Sequence, residues 1–427
     1  MPHRLKYALQ RRLNPARFRL LDELLYNQTL SKAQLLDKQA LELADIVRFA
    51  FEHTPYYREK YAALPDLDPA TLPILCKEEV VRQREALVAR ELDKSQLKIG
   101  CTGGSTGIPV SFYYDNHKSQ LMRAGMCRSY MGSGWRPGQK ILNFWGARQD
   151  IGGGSTAQRL REFIAAEQTI PAYQHGEAQL QQWVAAIRSY RPVLLQGYAS
   201  ILAELAHYID DNRIVLPVTL IGVYSTAEVL HGWQRALMER VFRCKVYNQY
   251  GSREIPNIAC ECRHGNLHVF TDMVHLESCE IDGEERVILT SLTNRAMPFI
   301  RYENGDSGRL REGDCPCGSP FPLMEMGLCR SNDLIRTRHG KRVHPSYFTH
   351  LLDGLKGIRQ FRFIQESAEK ITLQLVIPER LGHEAETALQ ARIHADVDEE
   401  ITLEICYPAE IERTASGKHR YVISKVV

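Results

Sequence analysis

The sequence predicts an α/β protein of more than one domain, and three observations carry that reading. The chain has 427 residues, more than one hydrophobic core normally organises, so about two or three domains are expected. Through its middle, the short apolar runs "GQKILNFWG", "PVLLQGYAS" and "VTLIGVYS" alternate with helical patterns such as "AEVLHGWQRALMERVF". That alternation belongs to an α/β body. Beyond it the pattern changes to short strands and then restarts as a small separate unit.

Taken in order, residues 16–65 have helical apolar spacing and end in "FEHTPYYREKYAALPDL", where two prolines punctuate a break. Residues 117–135 and 156–168 also read as helices. From 260 to 312, "LHVFTDMVHLESCEI", "ERVILTSL" and "FIRYENGDSGRLR" read as strands of a β-rich subdomain. After "CRSNDLI", the strands "QFRFIQ", "KITLQLVI" and "ITLEICY" surround the amphipathic helix "HEAETALQARIHADV". They predict a compact α+β C-terminal domain of roughly ninety residues. The boundary is placed at 329/330, giving domains 1–329 and 330–427.

Composition narrows the function. With 54 basic against 51 acidic side chains the formal net charge is +3, too balanced to imply a nucleic-acid-binding face. No apolar run reaches roughly 18 residues, so no transmembrane helix is expected. The basic N-terminus reads first as a solvated helix face, and it has no apolar stretch of signal-peptide length. Eleven cysteines, an odd number without a secretory signal, point to reduced thiols and a cytoplasmic protein.

Four short stretches have the residue types that chemistry needs. "CTGGSTGIPV" (101–110) offers Thr102, Gly103, Gly104, Ser105, Thr106 and Gly107. Glycine lets backbone N–H groups approach an anion, and the hydroxyls add donors. It is not a P-loop, because no lysine follows its last glycine; by itself it reads equally as a flexible turn. "VYNQYGSREIP" (246–256) places Tyr250, Gly251 and Glu254 after a strand-like run. "FIRYENGDSGRL" (299–310) sets Asp306 after a glycine at a turn, where an acid accepts from sugar hydroxyls or forms an Asx-turn. "IERTASGKHRYVISK" presents Lys418 on a turn made by Thr414, Ser416 and Gly417.

In order and spacing these four resemble the adenylate-forming acyl ligase superfamily, and most closely its phenylacetate–CoA ligase branch, which includes ligases of capsular-polysaccharide biosynthesis. "HTPYYREKY", "LPILCKEEV", "STAEVL", "CRSNDLI" and "RTASGKHR" extend the resemblance over nearly the full chain. It implies the adenylate-forming architecture: a large N-terminal adenylation domain and a small mobile C-terminal domain. It implies that 102–107 cradle the phosphates of ATP, and that Ser225, Thr226, Ala227 and Glu228 line the adenine side, with Asn248, Gln249, Tyr250 and Gly251 opposite. Glu254 would bind Mg²⁺, Asp306 the ribose, and Arg330 the ribose or phosphate. Asn332 and Asp333 would form the hinge, and Lys418 would bridge the acid's carboxylate and the α-phosphate. The implied reaction is ATP-dependent, AMP-forming activation of a carboxylic acid, followed by acyl transfer to CoA. Transfer to an amine, on an amino sugar or amino acid, is the alternative, and a non-catalytic nucleotide-binding relative is the reading from another class. Three positions depart from the family pattern: Arg253 stands where Ser or Thr is common, Asn332 where Asp is, and Gly104 where Thr is.

Two C-x-C pairs, "CECRHGNLH" (260–268) and "DCPCG" (314–318), flank the β-rich stretch. Thiolates with histidine suit a four-coordinate structural Zn²⁺. The expected ligands are Cys262, His268, Cys315 and Cys317, with Cys260 and His264 as alternatives; reduced, unliganded cysteines are the plainer reading. Trp135, Phe144, Trp145, Tyr173 and Tyr198 are candidates for the acid pocket and equally for the core. The polar, glycine-rich "GARQDIGGGS" beside them suggests an acid more polar than a phenyl ring. Neither the acid nor the oligomeric state is legible in the sequence.

Overall fold

A computed structural model describes residues 2–426 apart from 103–109, 148–154, 173–175, 282–283, 331–334, 344, 353–354, 356 and 415–416; for 284, 328–330, 342, 346 and 349 only the backbone is described. The chain divides into two compact units, Met1–Asn304 with Gly308–Met326, and Gly305–Ser307 with Gly327–Val427.

The first unit opens with helices His3–Leu13, Pro15–Asn27, Lys32–His53 and Pro55–Tyr61. Local signals set their limits. Ser31 and Gln34 form a reciprocal capping box at the start of the third, satisfying N–H groups that have no intrahelical partner. Prolines stand at the first position of the second and fourth, where a missing N–H costs nothing. The fourth helix is the "HTPYYREKY" stretch, and its Tyr56, Tyr57 and Tyr61 are all buried.

A hairpin of β1 (Lys98–Cys101) and β2 (Ser111–Tyr114) follows. Next come the parallel strands β3 (Ile141–Trp145), β4 (Glu167–Pro171), β5 (Leu194–Tyr198), β6 (Gly222–Thr226) and β7 (Val246–Tyr250). Helices Thr156–Ala165, Glu177–Tyr190, Ala199–Asp211 and Gly232–Phe242 connect them in turn. β3, β5 and β6 are nearly fully buried, as strands covered on both faces are. Antiparallel strands complete the sheet: β8 (Ala259–Glu261), β9 (Leu267–Val269), β10 (Val274–Ile281), β11 (Glu284–Ser291), β12 (Tyr302–Arg311) and β13 (Leu323–Arg330). The order is β10-β11-β12-β13-β9-β8-β7-β6-β5-β3-β4.

The last helix of the body begins at Gly232 rather than at the "AEVL" of the sequence pattern. Ala227 adopts φ 68, and a left-handed residue interrupts helical continuity. Asp306 also differs from expectation. It lies within strand β12 rather than at a turn between strands, next to Gly305 at φ 83.

The second unit contains β14 (Ile335–Arg336), β15 (Arg342–Val343), β16 (Gln360–Ser367), β17 (Lys370–Val376), β18 (Thr402–Cys406) and β19 (Val422–Ser424). Four of these form a sheet in the order β18-β17-β16-β19. The expected helix, His383–Asp396, buries Leu389 and Ile393 in a core with Phe348, Phe363, Ile371 and Leu373.

One of the ties between the N-terminal helices and the β-rich part is a tyrosine hydroxyl. Tyr57 Oη donates to the carbonyl of Pro298 (3.0 Å) and accepts from the N–H of Ile300 (3.1 Å). Tyr57→Phe removes the partner of two buried backbone groups and should cost about 1–3 kcal/mol. Urea unfolding should show a lowered midpoint with an unchanged slope; a midpoint equal to that of the parent would mean the hydroxyl contributes nothing.

Candidate functional site

In an open α/β sheet, ligands bind beyond the carboxyl ends of the parallel strands, near the point where the strand order reverses. Here β3 pairs with β4 on one side and β5 on the other, so the reversal lies between β3 and β5. Trp145 and Tyr198 end those strands with rings 5.2 Å apart, edge to face. The "GARQDIGGGS" segment follows β3 at this edge, and its residues 148–154, like Tyr173, lie outside the described residues. Phe144 packs against Trp183 in the core, and Trp135 donates from Nε1 to the carbonyl of Gln139. Both are therefore buried core residues rather than pocket lining.

At the same edge, Ser225 and Thr226 end β6, with Thr226 opposite Gln249 of β7. Glu228 accepts from the N–H of Ser200 (2.8 Å), in the first turn of helix Ala199–Asp211, where a carboxylate satisfies an unbonded N–H and meets the positive end of the helix dipole. The N–H of Asn248 is held by Glu261 (2.9 Å). Gln249 ends a buried chain in which Tyr130 donates to Gln196 (2.5 Å) and Gln196 to Gln249 (3.2 Å). Tyr250 Oη accepts from Asn304 (3.1 Å).

Glu254 is buried, and Tyr302 donates its hydroxyl to Glu254 Oε1 (3.1 Å). Lys118, near the start of helix Asn116–Met131, donates to the Glu254 carbonyl at 2.5 Å. Its ammonium also lies over the rings of Phe112 (4.9 Å) and Tyr114 (5.7 Å) on β2. Arg253 donates to the carbonyl of Cys101 at the end of β1 (3.1 Å). Two cations thus tie the Glu254 turn to both strands that carry the glycine loop. Neither stood out in the sequence as a site residue: Lys118 has no motif around it, and Arg253 was noticed only as a departure from a pattern. Tyr302 was legible in principle, since it stands inside "RYENGD".

At the neck of the glycine loop, Thr102 N–H donates to the Val110 carbonyl, and Thr102 Oγ1 accepts from the Val110 N–H, each at 2.8 Å. Gly103, Gly104, Ser105, Thr106 and Gly107 lie outside the described residues, as do Asn332 and Asp333; of Arg330 only the backbone, ending β13, is described. Asp306 is buried. In the second unit, Lys418 is presented by a tight turn. Thr414 Oγ1 accepts from the Lys418 N–H (3.1 Å), Thr414 N–H donates to the Lys418 carbonyl (3.0 Å), and Gly417 sits at φ 77.

The cysteine pairs converge. The ligand atoms of Cys262, His268, Cys315 and Cys317 all lie within 4.8 Å of one another, with Cys262 Sγ 3.6 Å from Cys315 Sγ and Cys317 Sγ 3.3 Å from His268 Nε2. Each pair sits on a turn closed by a positive-φ glycine: Gly265 N–H donates to the Cys262 carbonyl, and Gly318 N–H to that of Cys315. The Phe321 carbonyl, 2.9 Å from His268 Nδ1, can only accept; it therefore keeps the proton on Nδ1 and turns the Nε2 lone pair toward the sulfurs. N–H groups of Asn266, His264 and Ser319 point at the three sulfurs. Burial raises both Cys315 and Cys317. Hydrogen bonds from Cys317 and Asn266 outweigh it at Cys315 and bring that thiol below its ordinary value, whereas Cys317 stays above. A bound dication would favour the ionised form of several thiols together. The donor set fits Zn²⁺. Of the two alternatives, Cys260 is buried facing the Glu261 carbonyl and His264 is exposed beside Arg263; neither joins the group.

Residues 335–425 match the family model of the CapK C-terminal domain. The chain is 26% identical to Protein CapK of Staphylococcus aureus over 315 residues, covering 72% of this chain and 69% of that one. It is 25% identical to the phenylacetate–coenzyme A ligase of Thermus thermophilus over 348 residues, 75% of each. Among solved structures, 2-hydroxyisobutyryl-CoA ligase in the postadenylation state in complex with 2-HIB-AMP superposes with a TM-score of 0.73 at 20% identity, covering 93% of this chain and 91% of that one. The fold is that of the adenylate-forming ligases. No helix among the described residues is long and apolar enough to cross a membrane.

Burial pushes the Lys118 ammonium down to about 7 from its ordinary 10.5, against the upward pull of Glu254 and Asp115. Between those values the unfolded chain binds a proton there that the folded chain has released. The contribution of this group to stability therefore rises with pH from about 7 to 10.5. Lys118→Met abolishes the effect. Urea unfolding of parent and variant at pH 7 and pH 9.5 should show the parent gaining on the variant at the higher pH; a difference that does not change with pH would refute the assignment.

Proposed function

We propose that this chain, a homologue of CapK and of the phenylacetate–CoA ligases with the adenylate-forming fold, is an AMP-forming acid ligase that passes its acyl group to CoA. The observation that best supports this reading is the buried Glu254. Its carboxylate is held by Tyr302 and its backbone by Lys118, on the turn after β7, at the end of the parallel strands where nucleotide ligases need a fixed acid.

In the first half-reaction a carboxylate oxygen of the acid attacks the α-phosphorus of ATP and pyrophosphate leaves. In the second, the acceptor thiol attacks the acyl carbonyl and AMP leaves. The first step brings two anions together, so positioning and electrostatic compensation supply most of the catalysis. The N–H and hydroxyl groups of 102–107 would receive the phosphates. Ser225, Thr226, Ala227 and Glu228 would flank the adenine, with Asn248, Gln249, Tyr250 and Gly251 opposite, and Asp306 and Arg330 would take the ribose and phosphate. Mg²⁺ held by Glu254 would supply positive charge beside the phosphates. Lys418 would bridge the acid's carboxylate and the α-phosphate, and a pivot at Asn332–Asp333 would withdraw it before the thiol enters. The acid pocket is assigned to the β3/β5 edge, with Trp145 and Tyr198 as its walls. We further assign Cys262, His268, Cys315 and Cys317 to a structural Zn²⁺, which would fasten the turn after β8 to the loop before β13.

ATP–pyrophosphate exchange across a panel of carboxylic acids tests the chemistry. Exchange should require one class of acid, and Lys418→Ala should lower it by about a hundredfold or more while ATP binding persists. Coupled product should then form with CoA. Exchange that continues in Lys418→Ala would remove that residue from the mechanism, no exchange with any acid would favour a non-catalytic relative, and product only with an added amine would replace CoA as acceptor. For the metal, protein purified without added zinc should carry about one Zn²⁺ per chain, and the Cys315→Ser/Cys317→Ser variant far less. Under half an equivalent in the parent would overturn the assignment.

A further inference from the structure

Helices His3–Leu13 and Thr156–Ala165 lie side by side at the surface of the first unit. Gln10 donates from Nε2 to the carbonyl of Ile164 (2.7 Å), and the Lys6 ammonium stands 4.2 Å from the centre of the Phe163 ring. We propose that this pair of helices docks on an anionic lipid bilayer, with its apolar side chains at the boundary of headgroups and acyl chains and its arginines among the lipid phosphates.

Both helices expose apolar residues where a surface helix normally buries them. In Thr156–Ala165, Leu160, Phe163 and Ile164 share one face by their i, i+3, i+4 spacing, yet no residue of the helix is buried. Leu160 is 59% and Phe163 54% exposed. In His3–Leu13, Leu5, Leu9 and Leu13 recur every fourth residue and form one stripe. Leu5 is 57% and Leu13 54% exposed, and Leu9 is half-buried. Leu9 stands three residues after Lys6, and Leu13 three after Gln10, so the stripe runs beside the ridge that meets the other helix. The exposed apolar groups of both helices therefore border one seam. Apolar side chains gathered in this way, with charge around them, mark an interaction surface.

The charge around the seam selects the partner. Residues 1–20 contain Arg4, Lys6, Arg11, Arg12, Arg17 and Arg19 and no acid. Arg11 is paired with Asp22, but Arg4, Arg12, Arg159 and Arg161 are exposed, and none of the four has an ion-pair partner among the described residues. Glu162, the one acid of helix Thr156–Ala165, accepts from Gln158 (2.9 Å). Guanidinium groups bind lipid phosphates while leucine and phenylalanine enter the apolar boundary, and that combination holds an interfacial helix on an anionic membrane. A second copy of this chain presenting the same face would set arginine against arginine. Self-association would cover the apolar side chains and leave the charge unanswered.

Sedimentation of the full chain with vesicles tests this. At about 0.1 M salt the chain should pellet with phosphatidylcholine vesicles containing about 30 mol% phosphatidylserine and not with phosphatidylcholine alone, and about 1 M salt should release most of it. Arg12→Glu/Arg159→Glu should weaken the partition about tenfold or more, and Leu5→Ser/Leu160→Ser about tenfold. All four residues are exposed, so both variants should keep the urea midpoint of the parent, and the lipid effect is read on folded chains. No pelleting with either vesicle, equal pelleting with both, or parental binding by the leucine variant would each overturn the proposal. So would dimerisation without lipid that the leucine variant abolishes, which would assign the face to a second copy. Binding is read without ATP or acid, so it stands or falls separately from the ligase reading.

Discussion

The site is organised around one buried lysine amine. Lys118 is 3% exposed, and a polar head removed from water that thoroughly needs oriented partners in place of its hydration shell. The carbonyl of Glu254 and the faces of Phe112 and Tyr114 do so. Because those partners belong to the turn after β7 and to the strand leaving the glycine loop, the lysine can be satisfied in one arrangement of the two. Arg253 adds a second tie between the same turn and β1. Positioning of Glu254 is therefore a consequence of satisfying cations, not of the acid's own contacts alone.

Sheet polarity does the larger-scale work. Five parallel strands deliver their carboxyl ends to one edge, with the reversal of strand order between β3 and β5. Antiparallel β8 joins β7 directly, so the structure passes from the parallel body into the β-rich part without a break in the sheet. Glu261 marks that junction: it holds the N–H of Asn248 on β7 and takes Arg235 from helix Gly232–Phe242. One carboxylate thus serves both the last parallel strand and a connecting helix.

The cysteine cluster illustrates a different economy. β8 and β9 are three residues each, too short to be held by many ladder bonds. The turn between them and the loop before β13 approach through three cysteine sulfurs and a histidine whose tautomer is set by the Phe321 carbonyl.

The sequence by itself determined the fold class, the helices with capping signals and the strands of the second unit, since those follow from local propensity and periodicity within a few residues. It also singled out Cys262, His268, Cys315 and Cys317, because soft ligands cluster in so few other ways. The same local reasoning misplaced Asp306 at a turn and started a helix at "AEVL", as it contains no term for the pairing of β12 with its sheet neighbours or for the left-handed turn at Ala227. Only the tertiary structure decided the roles of Lys118, Arg253 and Tyr302. Each is defined by a partner more than forty residues away in sequence, such as Glu254 for Lys118 or Cys101 for Arg253. A side chain's charge is written in the sequence, but what satisfies it depends on which distant elements the sheet brings together.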